Sequence, residues 1–407
     1  MKINTNNMSK IFRFLIALWL HTNLVLSSIL KYDPSILEDA QLTTIGLIRK
    51  YGYKAEEHKV ETKDGFRLTA HRIPKPGAQP VLLVHGLEDS SATWVLTGPC
   101  CGLAYLLSDR GYDVWMLNTR GNRYSRKHRK YHPLMRQFWD FSFHEIGVYD
   151  IPATIDYMLD RSKGYKQVHY VGHSQGTTSV FVMGSERPEY MKKVKLLQAL
   201  APVAYFDNLN APFIQLIKPF ARSLLSMIKL FGIYEFPPER EVWSRLYYKL
   251  CSFAFPNTCT NFLMLVMGQD YSQFNQTLIP LFSKHFVAGS SVKSIEHYTQ
   301  LIERGGFFKY DFGNPKVNIK KYGTRNPPAY KVGNINCKVA LYYSENDQLT
   351  SFKDVQRLRK QLPNVVHDEL LAYKKFNHLD FTFAIDAKKL LYDSMFRVME
   401  KVDKGEL

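Results

Sequence analysis

Three residues of this chain have the types, and stand in the order, that acyl transfer demands: Ser174, Asp347 and His378. A serine hydroxyl is a weak nucleophile at neutral pH, so it needs a base within hydrogen-bond reach and an acid to orient that base. Ser174 lies in Gly172-His173-Ser174-Gln175-Gly176, a G-x-S-x-G pattern directly after the apolar run 168–171. That spelling is a nucleophile elbow. A strand turns sharply into a helix with the serine at the apex, and Gly172 and Gly176 stand where a Cβ would strike neighbouring backbone. The helical run 177–183 that follows separates the pattern from a chance glycine-serine turn.

Asp347 closes Ser344-Glu345-Asn346-Asp347 just after the apolar segment 339–343, and its plain alternative is a turn-capping aspartate. His378, in Phe376-Asn377-His378-Leu379-Asp380, follows the strand-like segment 369–373. A lone histidine is more often structural than catalytic. Serine, acid and histidine in that order, each beyond a strand, are what a serine elbow requires. Asp368 and Asp380 are weaker rivals for the acid, since neither follows the carboxyl end of a strand. The oxyanion formed on attack also needs amide donors, and loss of one costs roughly 2.7–4 kcal/mol. The amide of Gln175, directly after the serine, is one. The Leu87 amide in His85-Gly86-Leu87, after the apolar run 81–84, is the other, with His85 bracing the loop.

The elements that must hold these groups alternate. Segments 57–61 and 67–73 flank Lys63-Asp64-Gly65 as a hairpin; short apolar strands follow at 81–84, 114–117, 168–171, 196–200, 339–343 and 369–373. A helix starts at Asp150 as its cap, with Pro152 in the first turn. The pattern predicts an α/β fold with a mostly parallel central sheet flanked by helices and an antiparallel edge. Between 205 and 335 helical periodicity replaces strand signals. Phe213, Leu216, Ile217, Phe220, Leu224, Ile228 and Phe231 recur every three or four residues, with Lys218, Arg222 and Lys229 on other faces. This reads as an inserted helical cap with a lid; a second core face and a lid opening onto lipid are equally consistent with it. The expected organisation is therefore 1–28 signal peptide, 29–204 first part of the core, 205–335 cap, and 336–407 second part of the core.

The signal-peptide reading rests on Lys2, Lys10 and Arg13 before an apolar stretch, with cleavage near Ser28. Removing 1–28 takes three basic residues and no acidic one from a formal charge of +17, leaving +14. That surplus suits anionic surfaces, a lipid interface above all; no nucleic-acid-binding signature is present, and nothing indicates an oligomeric state. The five cysteines show no metal-ligand spacing. Cys251 and Cys259 are close enough for a small-loop disulfide in an oxidising compartment, while Cys100, Cys101 and Cys337 are read as buried thiols. Asn275-Gln276-Thr277 is a glycosylation sequon.

Taken together, Glu61-Thr62-Lys63-Asp64-Gly65, His85-Gly86-Leu87, 118–122 with Ser125, 172–178, Tyr310-Asp311-Phe312-Gly313, Asn346-Asp347 and 377–381 resemble the acid lipases. These are the gastric and lysosomal-type lipases and their insect relatives, within the α/β-hydrolase superfamily. The resemblance runs from about Tyr51 to Tyr392. It implies a Ser174, Asp347 and His378 triad, oxyanion amides at Leu87 and Gln175, a mobile lid and no metal or organic cofactor. The implied reaction is cleavage of lipid carboxylic esters, triacylglycerols or cholesteryl esters, in a secreted or lysosomal setting. Carboxylesterase activity on smaller soluble esters and non-catalytic lipid binding on a lipase scaffold are the alternatives. One departure stands out: Glu88 follows Leu87 where digestive and lysosomal relatives are expected to carry an apolar residue. A carboxylate there either repels acidic substrates or points outward. The terminal Lys404-Gly405-Glu406-Leu407 resembles an endoplasmic-reticulum retrieval signal, with Gly405 in place of the acid.

Overall fold

The computed structural model describes residues 32–209, 211–237 and 241–407; the expected signal peptide lies outside the described residues. The hairpin forms β1 (Glu56–Glu61) and β2 (Phe66–Ile73), antiparallel, with Glu61 opposite Arg67. Next come β3 (Pro80–Val84), β4 (Asp113–Asn118), the two-residue β5 (Lys127–His128), β6 (Val168–His173) and β7 (Val194–Leu200). Within the cap, β8 (Glu235–Phe236) and β9 (Ser290–Ser291) make a small ribbon; β10 (Lys338–Tyr343) and β11 (Val365–Leu370) complete the main sheet. Its order is β1-β2-β4-β3-β6-β7-β10-β11, with β5 on β2, and all pairings from β4 to β11 are parallel.

Alternate strand residues feed two cores. Leu82, Val84, Trp115, Leu117 and Tyr170 enter one, and Val81, Leu83, Val114, Met116 and Val171 the other. Helices Ile151–Arg161 and Gln175–Glu186 cover the first face, and Leu103–Asp109 and Asp393–Asp403 the second. Strands buried on both faces read as continuous apolar runs for this reason. After β3 the chain steps to β4 on one side and then returns to β6 on the other. The loops beyond β3 and β6 therefore meet at a switch point, where such sheets open a crevice.

Four local expectations are corrected. The strand expected at 369–373 is shifted to Val365–Leu370: Leu371 donates one last bond to the Tyr343 carbonyl (2.8 Å), and His378 follows after a seven-residue loop. Asp150 makes no side-chain cap. Its carboxylate instead takes the backbone N–H of Arg120 (3.0 Å) and the guanidinium Nε (2.8 Å), while Asp64 of the hairpin turn holds the other side of Arg120. A buried arginine is tolerated only when its charge is met in this way. Cys100 is exposed and Cys101 half-buried, because both lie in a surface turn before helix Leu103–Asp109; Cys337 is buried as expected. The cap helix Pro212–Leu230 is no second core face: Leu216 is 70 %, Phe220 67 % and Leu230 86 % exposed.

Apart from the β8–β9 ribbon the rest of the cap is mainly helical, with helices Glu241–Lys249, Pro256–Met267, Ile279–His285, Val292–Arg304 and Pro315–Tyr322. Cys251 and Cys259 are joined, clamping the turn into helix Pro256–Met267. At the other end of the chain, Leu407 packs half-buried against the core.

Candidate active site

Ser174 sits at the end of β6 with φ 51° and ψ −118°, a positive φ in a non-glycine residue. The conformation is held from outside: Ser174 donates its N–H to the Leu200 carbonyl (3.0 Å), and Tyr170 donates its hydroxyl to the Gly176 carbonyl (2.7 Å). The elbow glycines are a steric necessity. A Cβ on Gly176 would lie 2.2 Å from the Val84 carbonyl oxygen, and one on Gly172 would lie 2.8 Å from the Gly176 backbone. Strain of this kind persists only where the surroundings over-determine it.

The structure brings the three residues of the expected triad into one hydrogen-bonded chain. His378 Nε2 is 2.8 Å from Ser174 Oγ, and His378 Nδ1 is 2.8 Å from Asp347 Oδ2. The second oxygen of Asp347 accepts the amides of Leu349 and Thr350, each at 2.8 Å, so the carboxylate cannot rotate. Of the rival acids, Asp368 lies within β11 and pairs with Arg359, and Asp380 accepts the Asn377 amide. Asp380 is pushed up to about 8, by burial first and then by the neighbouring Asp270, and stays protonated at neutral pH.

The loop after β3 lies against the elbow, with Gly86 facing His173 and Ser174. Among the described residues the amides of Leu87 and Gln175 have no hydrogen-bond acceptor. His85 braces the loop. Its Nδ1 donates to the Gly86 carbonyl (2.8 Å), and its Nε2 accepts from Thr119 N–H (3.2 Å) and the Asn122 amide (3.2 Å). Burial pushes this imidazole down to about 4, so it stays neutral and keeps one donor and one acceptor face.

Sequence reasoning missed the support that comes from the cap. The Met267 carbonyl at the end of helix Pro256–Met267 accepts both the His378 amide (3.1 Å) and the Gln348 amide (3.3 Å). The next carbonyl, Gly268, takes the Asn377 side-chain amide (2.8 Å). Gly268 has φ 113°, and a Cβ there would lie 2.1 Å from the Asn346 carbonyl oxygen. A glycine closing an apolar helical run was the available signal, but a helix end alone does not say which loops it meets. His173 adds a second prop, its Nε2 donating to the His378 carbonyl (3.0 Å).

A cavity of about 320 Å³ opens over Ser174 and His378. Val203, Phe206, Ile214, Val266, Phe286, Tyr298 and Ile302 make it apolar, while Lys218, Glu88 and Asp89 also line it. Glu88 therefore does not point away from the site. A larger cavity of about 560 Å³ lies elsewhere in the cap and is not lined by Ser174. Its walls carry Lys229 paired with Glu296, Lys293 with Asp140 and Arg304 with Asp311, so it is a polar seam between helices. The site thus offers a hydroxyl with a base, free amides beside it and an apolar recess: the parts of an esterase acting on greasy acyl groups.

The family described as the α/β-hydrolase fold matches residues 79–384, and a partial α/β-hydrolase lipase region matches 44–98. The chain belongs to the acid lipases of the α/β-hydrolase fold. It is 42 % identical to Lipase 1 of Drosophila melanogaster, over 91 % of this chain and 82 % of that one. It is 37 % identical to the human gastric triacylglycerol lipase, over 88 % and 91 % of the two chains. Among solved structures, a putative lipase from Sulfolobus solfataricus superposes with a TM-score of 0.57 over 85 % of this chain and 94 % of that one, at 16 % identity, a likeness of fold alone. As a member of this family the chain is a carboxylic ester hydrolase of the lipase type, acting on lipid esters.

Proposed function

We propose that this acid lipase is a secretory-pathway serine hydrolase that cleaves triacylglycerols or cholesteryl esters through an acyl-enzyme on Ser174. The observation carrying the reading is the unbroken Asp347–His378–Ser174 hydrogen-bond chain at the floor of an apolar cavity. Ser174 Oγ attacks the ester carbonyl while His378 Nε2 takes its proton. Asp347 holds the imidazole in the tautomer with Nδ1 protonated, so that Nε2 is the free acceptor. The oxyanion is received by the amides of Leu87 and Gln175. His378 then gives its proton to the leaving alcohol, and water deacylates Ser174 by the same route.

Two further observations support a lipid surface as the place of work. Leu216, Phe220, Leu224, Met227, Leu230 and Phe231 leave the cap helix Pro212–Leu230 and its exit with an exposed apolar face. The net positive charge favours anionic interfaces. These favour a lipase over a carboxylesterase for small soluble esters. The Cys251–Cys259 disulfide and the apolar leader support passage through the secretory pathway to an extracellular or lysosomal destination, with Asn275 as a glycan acceptor. No single helix among the described residues is long and apolar enough to cross a membrane.

The test is Ser174→Ala assayed on emulsified long-chain glycerides and soluble short-chain esters, beside the unaltered protein. Turnover of both should fall by about 10⁶ with unfolding unchanged, since serine and histidine act as a unit. Retained turnover in the variant, or failure of the unaltered protein to react with a fluorophosphonate, overturns the reading. The second outcome favours a non-catalytic lipid carrier.

A further inference from the structure

Glu88 and Asp89 are adjacent acids on the loop beside Ser174, and only one of them has its needs met. The Asp89 carboxylate accepts the Ser90 amide (2.7 Å) and lies near the charge of Arg123. Among the described residues, the Glu88 carboxyl has no hydrogen-bond partner; burial alone acts on it, and its charge is felt by the Tyr247 phenol on the cap. The backbone of Glu88 is held in a left-handed conformation (φ 60°), and its carbonyl accepts the Ala288 amide at 2.6 Å. The side chain is thus presented at the wall of the cavity that contains Ser174.

We propose that Glu88 forms a polar subsite of the ester cavity that takes a hydroxyl group carried by the substrate, so that hydroxylated lipid esters are preferred over their unhydroxylated counterparts. This rests on the reading of Ser174 as the nucleophile of a lipid esterase. The physical argument is one of unmet demand. A wholly apolar ester filling the cavity strips water from the Glu88 carboxyl and offers nothing in return, whereas a substrate hydroxyl replaces the lost partner. Sites with a buried polar group discriminate against ligands that leave it unpaired. Burial pushes this carboxyl up to about 8, so at neutral and acidic pH it is uncharged and both donates and accepts. Besides Ser174 and the His173 and His378 rings, the polar side chains lining this space are Asp89, Lys218, Tyr298, Thr299 and Thr382, and none is hydrogen-bonded to Glu88. The hydroxyl can sit on the alcohol portion, as in a partial glyceride, or on the acyl chain, as in a hydroxy-fatty ester.

The experiment uses the mature protein with Glu88→Gln and Glu88→Met, each normalised to active sites titrated with a fluorophosphonate, which also shows that each has folded. Two matched pairs are compared by kcat/KM in mixed micelles: a diacylglycerol against the triacylglycerol of the same chain, and a hydroxystearoyl ester against the stearoyl ester of the same alcohol. The unaltered protein should prefer the hydroxylated member of one pair by about tenfold, the size of one net hydrogen bond. Glu88→Gln, which still donates and accepts, should keep the preference, and Glu88→Met should abolish it. The pair that responds identifies which portion carries the hydroxyl. Equal rates within both pairs, a preference surviving in Glu88→Met, or equal loss in both variants overturns the subsite while leaving the esterase intact. Hydrolysis of none of the four esters overturns the esterase reading beneath it.

Discussion

Asp347 has one carboxylate oxygen on His378 and the other on two backbone amides, those of Leu349 and Thr350. Those amides can only be met by an acceptor. In Asp347→Asn the amide oxygen must therefore occupy their side, and the NH₂ must face His378 Nδ1. The imidazole then carries its proton on Nε2, and the base facing Ser174 is lost. We expect kcat to fall by about 10⁴ with little change in KM or stability, read by steady-state kinetics and thermal unfolding. A loss below tenfold would place the acid elsewhere. The residue types and their order were legible from the start. The orientation of Asp347 was not, because it depends on amides of a turn whose path no side-chain pattern records.

At the scale of elements, the cap does more than cover the site. Helix Pro256–Met267 ends on a carbonyl shared by the Asp347 and His378 loops, and Gly268 passes so near Asn346 that no side chain fits. Gly268→Ala combines that clash with a positive φ. It should separate the two loops, lowering kcat by about a hundredfold, the scale of a misplacement near 1 Å, and slowing fluorophosphonate labelling of Ser174. The same substitution at the exposed Gly232, which meets nothing within 4 Å although its φ is also positive (73°), controls for backbone strain alone. Labelling at the unaltered rate in Gly268→Ala would show the contact to be incidental. The helical period of the cap was visible in the sequence. Its partner surfaces were not, since contacts between the loops and a helix about 80 to 110 residues earlier leave no local signature.

Across the whole molecule, buried acids and histidines titrate in opposite senses. Burial raises Glu88 and Asp380 to about 8 and Asp89 to about 7, whereas an unfolded chain releases these protons near pH 4. The folded state therefore holds the extra protons between those limits, and stability falls as pH rises through them. The buried His71 and His85, lowered to about 4, and His285 and His297, lowered to about 3, oppose this as unfolded histidines charge, about half of them at pH 6.5 and few above about pH 7.5. From about pH 7 to 8 the acids dominate. Thermal unfolding followed by circular dichroism should show Tm falling by several degrees over that window, with a shallower fall in Glu88→Gln. A Tm that is level or rises across the window would contradict these shifts.

The sequence by itself determined the elbow, the order Ser174–Asp347–His378, the strand alternation and the helical character of the cap. Each depends on short-range sterics or on the period of apolar residues, which a strand or helix imposes wherever it lies. Only the tertiary structure decided the rest: that Asp150 meets Arg120 instead of capping its helix, that the cap helix Pro212–Leu230 shows its apolar residues to solvent, and that Glu88 turns into the ester cavity. Those outcomes turn on which distant surface a side chain meets. A carboxyl in a turn reads the same in sequence whether water or hydrocarbon surrounds it, and packing alone makes the difference.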